Sequence, residues 1–165
     1  MRLNLSEILT NPGGRIPFRY KLDLSDLEFS GYCPVAEPVQ VSGEVRNSAG
    51  VLVLTAEADT NLHCVCDRCL KEFSRPQHTK LNLILASELS GEKEGDIVLL
   101  KSDTVDVSDL VTSAIILEME TKNLCSEDCQ GLCPKCGKDL NEGPCSCRPE
   151  PDPRLAVLNQ LLNKQ

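Results

Sequence analysis

The chain has 165 residues, a formal net charge of −8 and an aromatic content of 3%, with no tryptophan. A chain of this length forms one domain of ordinary size and buries roughly 70% of its unfolded surface, so its core does not require a metal ion. The acidic balance disfavours a protein that grips nucleic-acid phosphates over a large surface, and the scarcity of aromatic rings disfavours a stacking platform for single strands.

The sequence also carries information about the compartment. No apolar run approaches the roughly 18 residues of a spanning helix. The N-terminal residues MRLNLSEILTNPGG lack the apolar segment of a secretion signal. We therefore expect a soluble, cytoplasmic protein that makes no membrane contact. No pattern in the sequence indicates an oligomeric state.

The first half of the chain has the period-two pattern of antiparallel strands. A turn at residues 11–14 precedes an alternating strand over 16–24. Residues 39–45 alternate again, and a turn at 47–50 closes a hairpin onto a long strand from Leu52 to Cys66. Residues 66–69 then form the tip of a second hairpin, whose return strand runs over 79–85. This order predicts an antiparallel meander or a partly closed barrel, packed under a helix.

A small basic cluster surrounds the first strand. It consists of Arg15, Arg19 and Lys21. We interpret these residues as the solvated face of the strand, and contact with RNA is the alternative.

One helix is predicted after the sheet. A charged turn at 91–95 and a short strand at 96–100 lead to Asp106, which caps the helix, and Asp109 follows in its first turn. The apolar stripe of this helix has three-to-four spacing, and we expect all of it in the core. Its members are Leu110, Ala114, Leu117, Val111 and Ile115.

A second helix is predicted at the end of the chain. A proline-rich linker after Cys147 leads to Asp152 as the cap and Pro153 as the first helical residue. Leucines at three-to-four spacing give this helix an apolar face, which we expect to dock on the rest of the chain. The predicted organisation is a β-rich domain with one helix (1–123), a cysteine-rich segment packed on it (124–148), and a linker with a C-terminal helix (149–165). The fold class is α+β.

Six of the ten cysteines lie in the segment LCSEDCQGLCPKCGKDLNEGPCSC, residues 124–147. The most specific part is CPKCG, residues 133–137, followed by Cys145-Ser-Cys147. Two residues between thiolates let a tight turn aim both sulfurs at one point, and Gly137 permits the positive φ that follows such a turn. We predict a tetrahedral zinc site here. Its ligands are Cys133, Cys136, Cys145 and Cys147.

A second zinc site requires a contact between distant parts of the chain. Cys125 and Cys129 supply only two thiolates, and the missing pair lies upstream in Cys66-Asp-Arg-Cys69. The preferred assignment is therefore two structural zinc ions, with one ion as the fallback. Cys64 is a rival ligand for the upstream pair, and a pairing that interleaves the two sites remains open. Spacing assigns no role to Cys33 and leaves the role of Cys64 undecided.

Three other uses of these cysteines fit the sequence less well. A disulfide framework requires an oxidising compartment, which the N-terminus does not indicate. An iron–sulfur cluster has the same ligand type, but two compact pairs favour zinc. A catalytic redox pair of cysteines is expected at the N-terminus of a helix, where the thiolate is stabilised. The residues on both sides of the 66–69 pair have strand patterns, which argues against this use.

The chain resembles the YceD-like family of bacterial proteins, which is named for accumulation of large-subunit ribosomal RNA. The resemblance covers nearly the whole length: the early strand, the tip sequence CDRCLKEF (66–73), the helix of residues 106–119 and the closing DPRLAVL (152–158). The cysteine-rich block is similar to that of the family's cysteine-bearing branch. Since other members lack most of these cysteines, the resemblance favours a structural metal.

The resemblance implies a cytoplasmic factor needed for proper levels of large-subunit rRNA, in ribosome assembly or rRNA processing, with no known active site. No nucleophile–base pair or phosphate-binding loop is evident, and we expect no enzyme activity. An acidic chain in an RNA-linked family is most simply explained by a protein partner, either a basic ribosomal protein or another assembly factor, with weak or indirect rRNA contact. The alternatives are a direct rRNA-binding or processing protein and a zinc-dependent redox or metal-handling protein.

Overall fold

The computed structural model describes residues 1–87 and 97–147. The predicted charged turn at 91–95 and the predicted C-terminal helix lie outside these residues. The elements in chain order are β1 (Arg2–Asn4), α1 (Ser6–Leu9), β2 (Arg15–Leu22), β3 (Val39–Ser48), β4 (Val51–Val65), β5 (Glu72–Ala86), β6 (Ile97–Leu99), β7 (Thr104–Asp106), α2 (Val107–Glu118) and a 3-10 turn (Leu140–Glu142).

A five-stranded open sheet in the order β2-β3-β4-β5-β6 forms the body of the described structure. Its register places Val45 opposite Leu54, and Leu54 opposite Leu83, so apolar positions of three strands share one face. The β3–β4 hairpin closes through Ala49 and Gly50, whose φ angles of 53° and 90° suit the twist of a two-residue hairpin turn. The predicted meander is therefore present from β2 to β5.

The last strand of the sheet departs from the predicted antiparallel order. Strand β6 pairs parallel with the end of β5, with Ile84 opposite Ile97. A strand of only three residues carries no pattern from which its direction could be predicted. Within the described residues the sheet ends at β2 on one side and at β6 on the other, so it forms an open sheet and not a barrel.

Helix α2 covers the apolar face of the sheet and is capped as predicted. The Asp106 side chain accepts a hydrogen bond of 3.1 Å from the backbone N–H of Ser108. Strand β7 ends at this cap and pairs with β1 at the N-terminus, with Arg2 opposite Asp106. The N-terminal residues thus fix the start of α2, which the sequence did not predict.

The buried stripe of α2 differs from the predicted one. Its buried residues are Val107, Val111 and Ile115, whereas Leu117 is 85% exposed. Leu110 and Ala114 are half-buried at the edge of the core. The side of the helix that packs against β5 and β4 is therefore centred on Val111 and Ile115 and extends to Val107, not to Leu117. The prediction that Leu117 belongs to the core is wrong.

The core joins the sheet, α1 and α2 in a single apolar cluster. Gly43 permits a close approach within it, because a Cβ atom there would collide with the carbonyl oxygen of Thr55 and would lie 2.7 Å from Cζ of Phe18 and 2.8 Å from Cα of Ala56. Among the described residues, no helix is both long and apolar enough to cross a membrane.

Candidate metal centres

Eight of the ten cysteines gather into two groups, and within each group the four sulfur atoms lie within 4.8 Å of one another. The first cluster consists of Cys66, Cys69, Cys125 and Cys129. The second cluster consists of Cys133, Cys136, Cys145 and Cys147. This grouping is that of the preferred pairing, not of an interleaved one. Cys64 lies in the main core and Cys33 on the surface, and neither belongs to a cluster.

The first cluster is built at the tip of the β4–β5 hairpin. The backbone N–H of Cys66 donates to the carbonyl of Lys71, and the N–H of Leu70 donates back to the carbonyl of Cys66, each at 2.9 Å. These two bonds close a tight loop between the strands. Both cysteines of the tip, Cys66 and Cys69, therefore direct their sulfurs to the same side.

The second cluster contains a turn with the same hydrogen bonds. Cys133 N–H donates to the carbonyl of Lys138, and Gly137 N–H donates to the carbonyl of Cys133, again at 2.9 Å. The residue after the second cysteine has a positive φ in both turns, 71° at Gly137 and 60° at Leu70. The sequence predicted this conformation at Gly137 and missed it at Leu70, since leucine gives no signal for it.

Replacing Leu70 with glycine is expected to raise the free energy of unfolding by up to about 1 kcal/mol. A left-handed backbone costs a non-glycine residue about 1–2 kcal/mol, partly offset by the greater freedom of glycine in the unfolded chain. Leu70 is 64% exposed, so little burial is lost. Urea unfolding measures the change. The reverse replacement, Gly137→Ala, is the matched control and should lower the free energy of unfolding. A Cβ atom at this position would meet no neighbouring atom, so the expected loss comes from the left-handed backbone alone.

The thiols of the first cluster have unequal acidity. The backbone N–H of Cys125, helped by those of Cys69 and Arg68, lowers the pKa of Cys66 to about 6. The neighbouring Cys69 side chain, together with burial, raises the pKa of Cys125 to about 12. The cluster therefore offers a ready thiolate beside a thiol that has to lose its proton before it can bind a metal.

The second cluster repeats this division. Backbone N–H groups of Cys136 and Lys135 lower the pKa of Cys133 to about 6. The Cys136 side chain and burial raise the pKa of Cys147 to about 12. In both clusters, backbone N–H groups thus lower the pKa of the cysteine that begins the turn.

The sulfur separations in the first cluster fit a single tetrahedral metal ion. The Sγ atoms of Cys66 and Cys129 are 3.8 Å apart, and those of Cys69 and Cys125 are 3.6 Å apart. A tetrahedron with Zn–S bonds of about 2.3 Å has edges of about 3.8 Å. A disulfide would require about 2.05 Å, and ligands of a multi-iron cluster have to stand further apart because they bind different iron atoms. All ten cysteines are free.

Asn123 anchors the cysteine-rich segment to the sheet. Its backbone N–H donates to the Asp67 carboxylate at 2.7 Å, and the Asp67 N–H donates to its carbonyl at 2.8 Å. Its side chain accepts from Arg75 at 3.4 Å and donates to the Tyr32 hydroxyl at 3.2 Å. Asn123 is buried, and these hydrogen bonds hold the segment that leads into Cys125 against the hairpin tip. Sequence patterns did not reveal it.

Arg68, between the two tip cysteines, ties the tip to the other half of the first cluster. Its Nη1 donates to the Cys129 carbonyl at 2.7 Å, and its own carbonyl accepts from the N–H of Leu132 at 3.1 Å. Gly131 permits this contact, because a Cβ atom there would lie 2.9 Å from the Arg68 carbonyl oxygen. The two distant segments are therefore held together by backbone hydrogen bonds as well as by the shared sulfur cluster.

Two groups of charged side chains are exposed on the described structure. Glu127 and Asp128 are exposed in the loop between two first-cluster cysteines. Arg15, Arg19 and Lys21 are exposed on β2. Of these three, only Arg15 has an acidic partner among the described residues, Glu44 at 4.0 Å.

Fold and site together define a class: a mainly β protein with one principal helix and two four-cysteine clusters that could each hold a metal ion. Residues 54–162 match the family described as "Large ribosomal RNA subunit accumulation protein YceD". The chain belongs to this YceD family, which confirms the resemblance noted from its sequence.

The relatives found include one protein that bears the family name and several uncharacterised proteins. An uncharacterised protein of Mycobacterium tuberculosis is 31% identical over 72% of this chain, which spans 58% of that protein's length. The chloroplastic "Large ribosomal RNA subunit accumulation protein YCED homolog 1" of Arabidopsis thaliana is 25% identical over 78% of this chain and 50% of its own length. The uncharacterised protein YlbN of Bacillus subtilis is 26% identical over 77% of this chain and 76% of its own length. No solved structure matches.

Proposed function

We propose that each cluster binds one structural zinc ion. The proposal is supported by four sulfurs within 4.8 Å of one another in each cluster and by the matching turns that present them. In the first cluster, the Sγ separations of 3.8 Å and 3.6 Å also match the edges of a zinc tetrahedron. Four thiolates leave no open position for water or substrate, so such an ion holds the loops in shape and does not act as a Lewis acid. No residue of the clusters is therefore assigned a catalytic role.

Zinc binding at pH 7 is expected to release at least one proton per cluster. Cys125 and Cys147, each with a pKa of about 12, are protonated at pH 7 in the metal-free protein and have to become thiolates. Apparent zinc affinity should therefore rise with pH. It should fall more steeply below pH 6, where Cys66 and Cys133 also take up protons.

Calorimetric titrations in buffers of different ionisation enthalpy measure this proton release. A titration in which the binding enthalpy does not depend on the buffer would contradict the expectation.

For the protein as a whole, we propose a non-enzymatic cytoplasmic factor that supports accumulation of large-subunit rRNA in ribosome assembly or rRNA processing. The observation that carries this proposal is membership of the YceD family over residues 54–162. The formal charge of −8 becomes about −12 with two tetrathiolate zinc ions. Such a surface favours a basic partner, a ribosomal protein or an assembly factor, over extensive contact with RNA.

The test of this proposal reverses the charge of the acidic loop. Glu127→Lys with Asp128→Lys should leave zinc content and folding intact, since the hydrogen bonds that these residues accept from Arg68 and Gln130, in the described part of the chain, go to their backbone carbonyls and not to their carboxylates. Capture of a basic partner after cross-linking in growing cells should fall severalfold, and the level of large-subunit rRNA should fall with it. Added salt should weaken the same association. The matched control, Asp26→Lys with Glu28→Lys, changes the charge equally at another exposed loop.

A second candidate, direct binding of rRNA, is favoured by the exposed cations of β2. Arg19→Gln with Lys21→Gln tests it, because neither residue has an ion-pair partner among the described residues. If this change abolishes partner capture and rRNA accumulation while the acidic-loop reversal leaves both at wild-type levels, the proposal of a basic protein partner fails and direct contact with RNA replaces it. Loss of function with readily exchanged zinc would instead support a metal-handling role.

A further inference from the structure

We infer that Asn141 couples the two clusters, so that occupancy of the second cluster sets the affinity of the first for its zinc ion. The inference rests on the proposed zinc binding. Asn141 lies in the loop between Cys136 and Cys145 of the second cluster, yet its side chain reaches a sulfur of the first. Its Nδ2 donates to Sγ of Cys129 at 3.4 Å.

The amide of Asn141 is held in one orientation by its other partners. Its Oδ1 accepts from the backbone N–H of Gln130 at 2.7 Å, so the NH₂ group has to face the opposite way. That group donates to the Asp139 carboxylate at 2.7 Å and to Cys129. The Asp139 side chain also caps the 3-10 turn by accepting from the Asn141 backbone N–H at 2.9 Å. A flipped amide would lose its contacts with Gln130, Asp139 and Cys129. The hydrogen-bond network therefore orients the Nδ2 group, and not Oδ1, toward the sulfur.

The backbone around Asn141 is paired with the segment that follows Cys129. Leu140 N–H donates to the Gly131 carbonyl at 2.9 Å, and Leu132 forms a β-bridge with Asp139. The second-cluster loop therefore lies directly on the chain that leaves the first cluster.

The coupling is reciprocal, but the two clusters differ in burial, which bears on which ion is lost first. Three of the four cysteines of the first cluster are buried, against one of the four in the second, whose Cys136 is exposed. The second cluster is also formed by residues close in sequence, whereas the first joins segments about 60 residues apart. We therefore expect the second ion to exchange with the solvent more readily than the first.

Loss of the second ion releases the loop between Cys136 and Cys145 from its ligands at both ends. The Asn141 amide then has to be ordered at a cost in conformational entropy before it can reach Cys129. A zinc ion with four thiolates carries about two negative charges, which an N–H donor to sulfur stabilises, and loss of such supporting bonds typically lowers metal affinity 10–100-fold. Release from the exposed cluster should thus weaken the buried one.

The experiment compares zinc affinities of the full chain by competition with a chelator of known affinity. In Asn141→Ala, the zinc ion of the first cluster should bind about tenfold more weakly. This is the low end of the 10–100-fold loss that is typical for a hydrogen bond to a metal ligand, because Asn141 is exposed. Asn141→Asp keeps the acceptor for Gln130 but removes the donor to sulfur, and should weaken the site at least as much. Asn82→Ala, an exposed asparagine on the sheet, is the matched control and should bind as wild type.

A double-mutant cycle separates coupling from a local effect. In the background Cys133→Ser with Cys136→Ser, only the first cluster can bind zinc, and its affinity should already be reduced about tenfold. Adding Asn141→Ala there should change it little, because the loop is no longer held.

The inference is overturned if both Asn141 variants bind first-cluster zinc as tightly as wild type, or if the two effects are additive. Absence of zinc from wild-type protein in either cluster would instead refute the proposed metal binding itself.

Discussion

Cys66→Ser and Cys125→Ser are each expected to release the same zinc ion and to destabilise the protein by several kcal/mol. The two residues lie in different parts of the chain, at the β4–β5 tip and after α2, but the structure places both in the first cluster. Binding of a structural zinc ion provides about 10–16 kcal/mol in small zinc domains, which is the upper limit of the loss. The double variant should be little less stable than either single variant, because one bound ion is lost in each case.

Zinc content by elemental analysis and urea unfolding in the presence of zinc measure these effects. Cys64→Ala is the control: Cys64 is only two residues from Cys66 but packs in the main core, so this variant should retain both ions while losing some core stability. Release of different ions by the Cys66 and Cys125 variants, or destabilisation that adds fully, would show that these cysteines do not share a metal.

Cys133→Ser is expected to remove the other ion and leave the five-stranded sheet folded. Cys133 is absent from the apolar cluster that joins the sheet to α1 and α2, so the sheet core does not depend on this ligand. The first ion should remain bound even if its affinity falls tenfold, because about 1.4 kcal/mol is small beside the zinc-binding free energy.

Elemental analysis should then find half of the wild-type zinc, and circular dichroism should show the same strand content. A variant that unfolds, or that loses no zinc, would contradict this expectation. Iron with sulfide in the wild-type protein would refute the choice of metal.

Local features were the most predictable from the sequence. The period-two runs from Leu52 to Cys66 and the return strand appear as β4 and β5, because alternation follows directly from strand geometry. The cap at Asp106 also depends on a few neighbouring residues. The direction of β6 and the exposure of Leu117 could not be predicted in this way, since each is set by what the element packs against.

The sequence by itself determined which residues can bind a metal, because ligand chemistry and the two-residue spacing within each turn are local properties. It left open how two pairs of cysteines about 60 residues apart are matched. Only the tertiary structure decided the matching of these pairs. The β4–β5 register carries Cys66 and Cys69 to one end of the sheet. The hydrogen bonds of Arg68 and Asn123 bring the segment that contains Cys125 and Cys129 to the same end. The same reason explains why Asn141 escaped prediction: an asparagine in a loop has no pattern, and its role exists only where the two clusters meet.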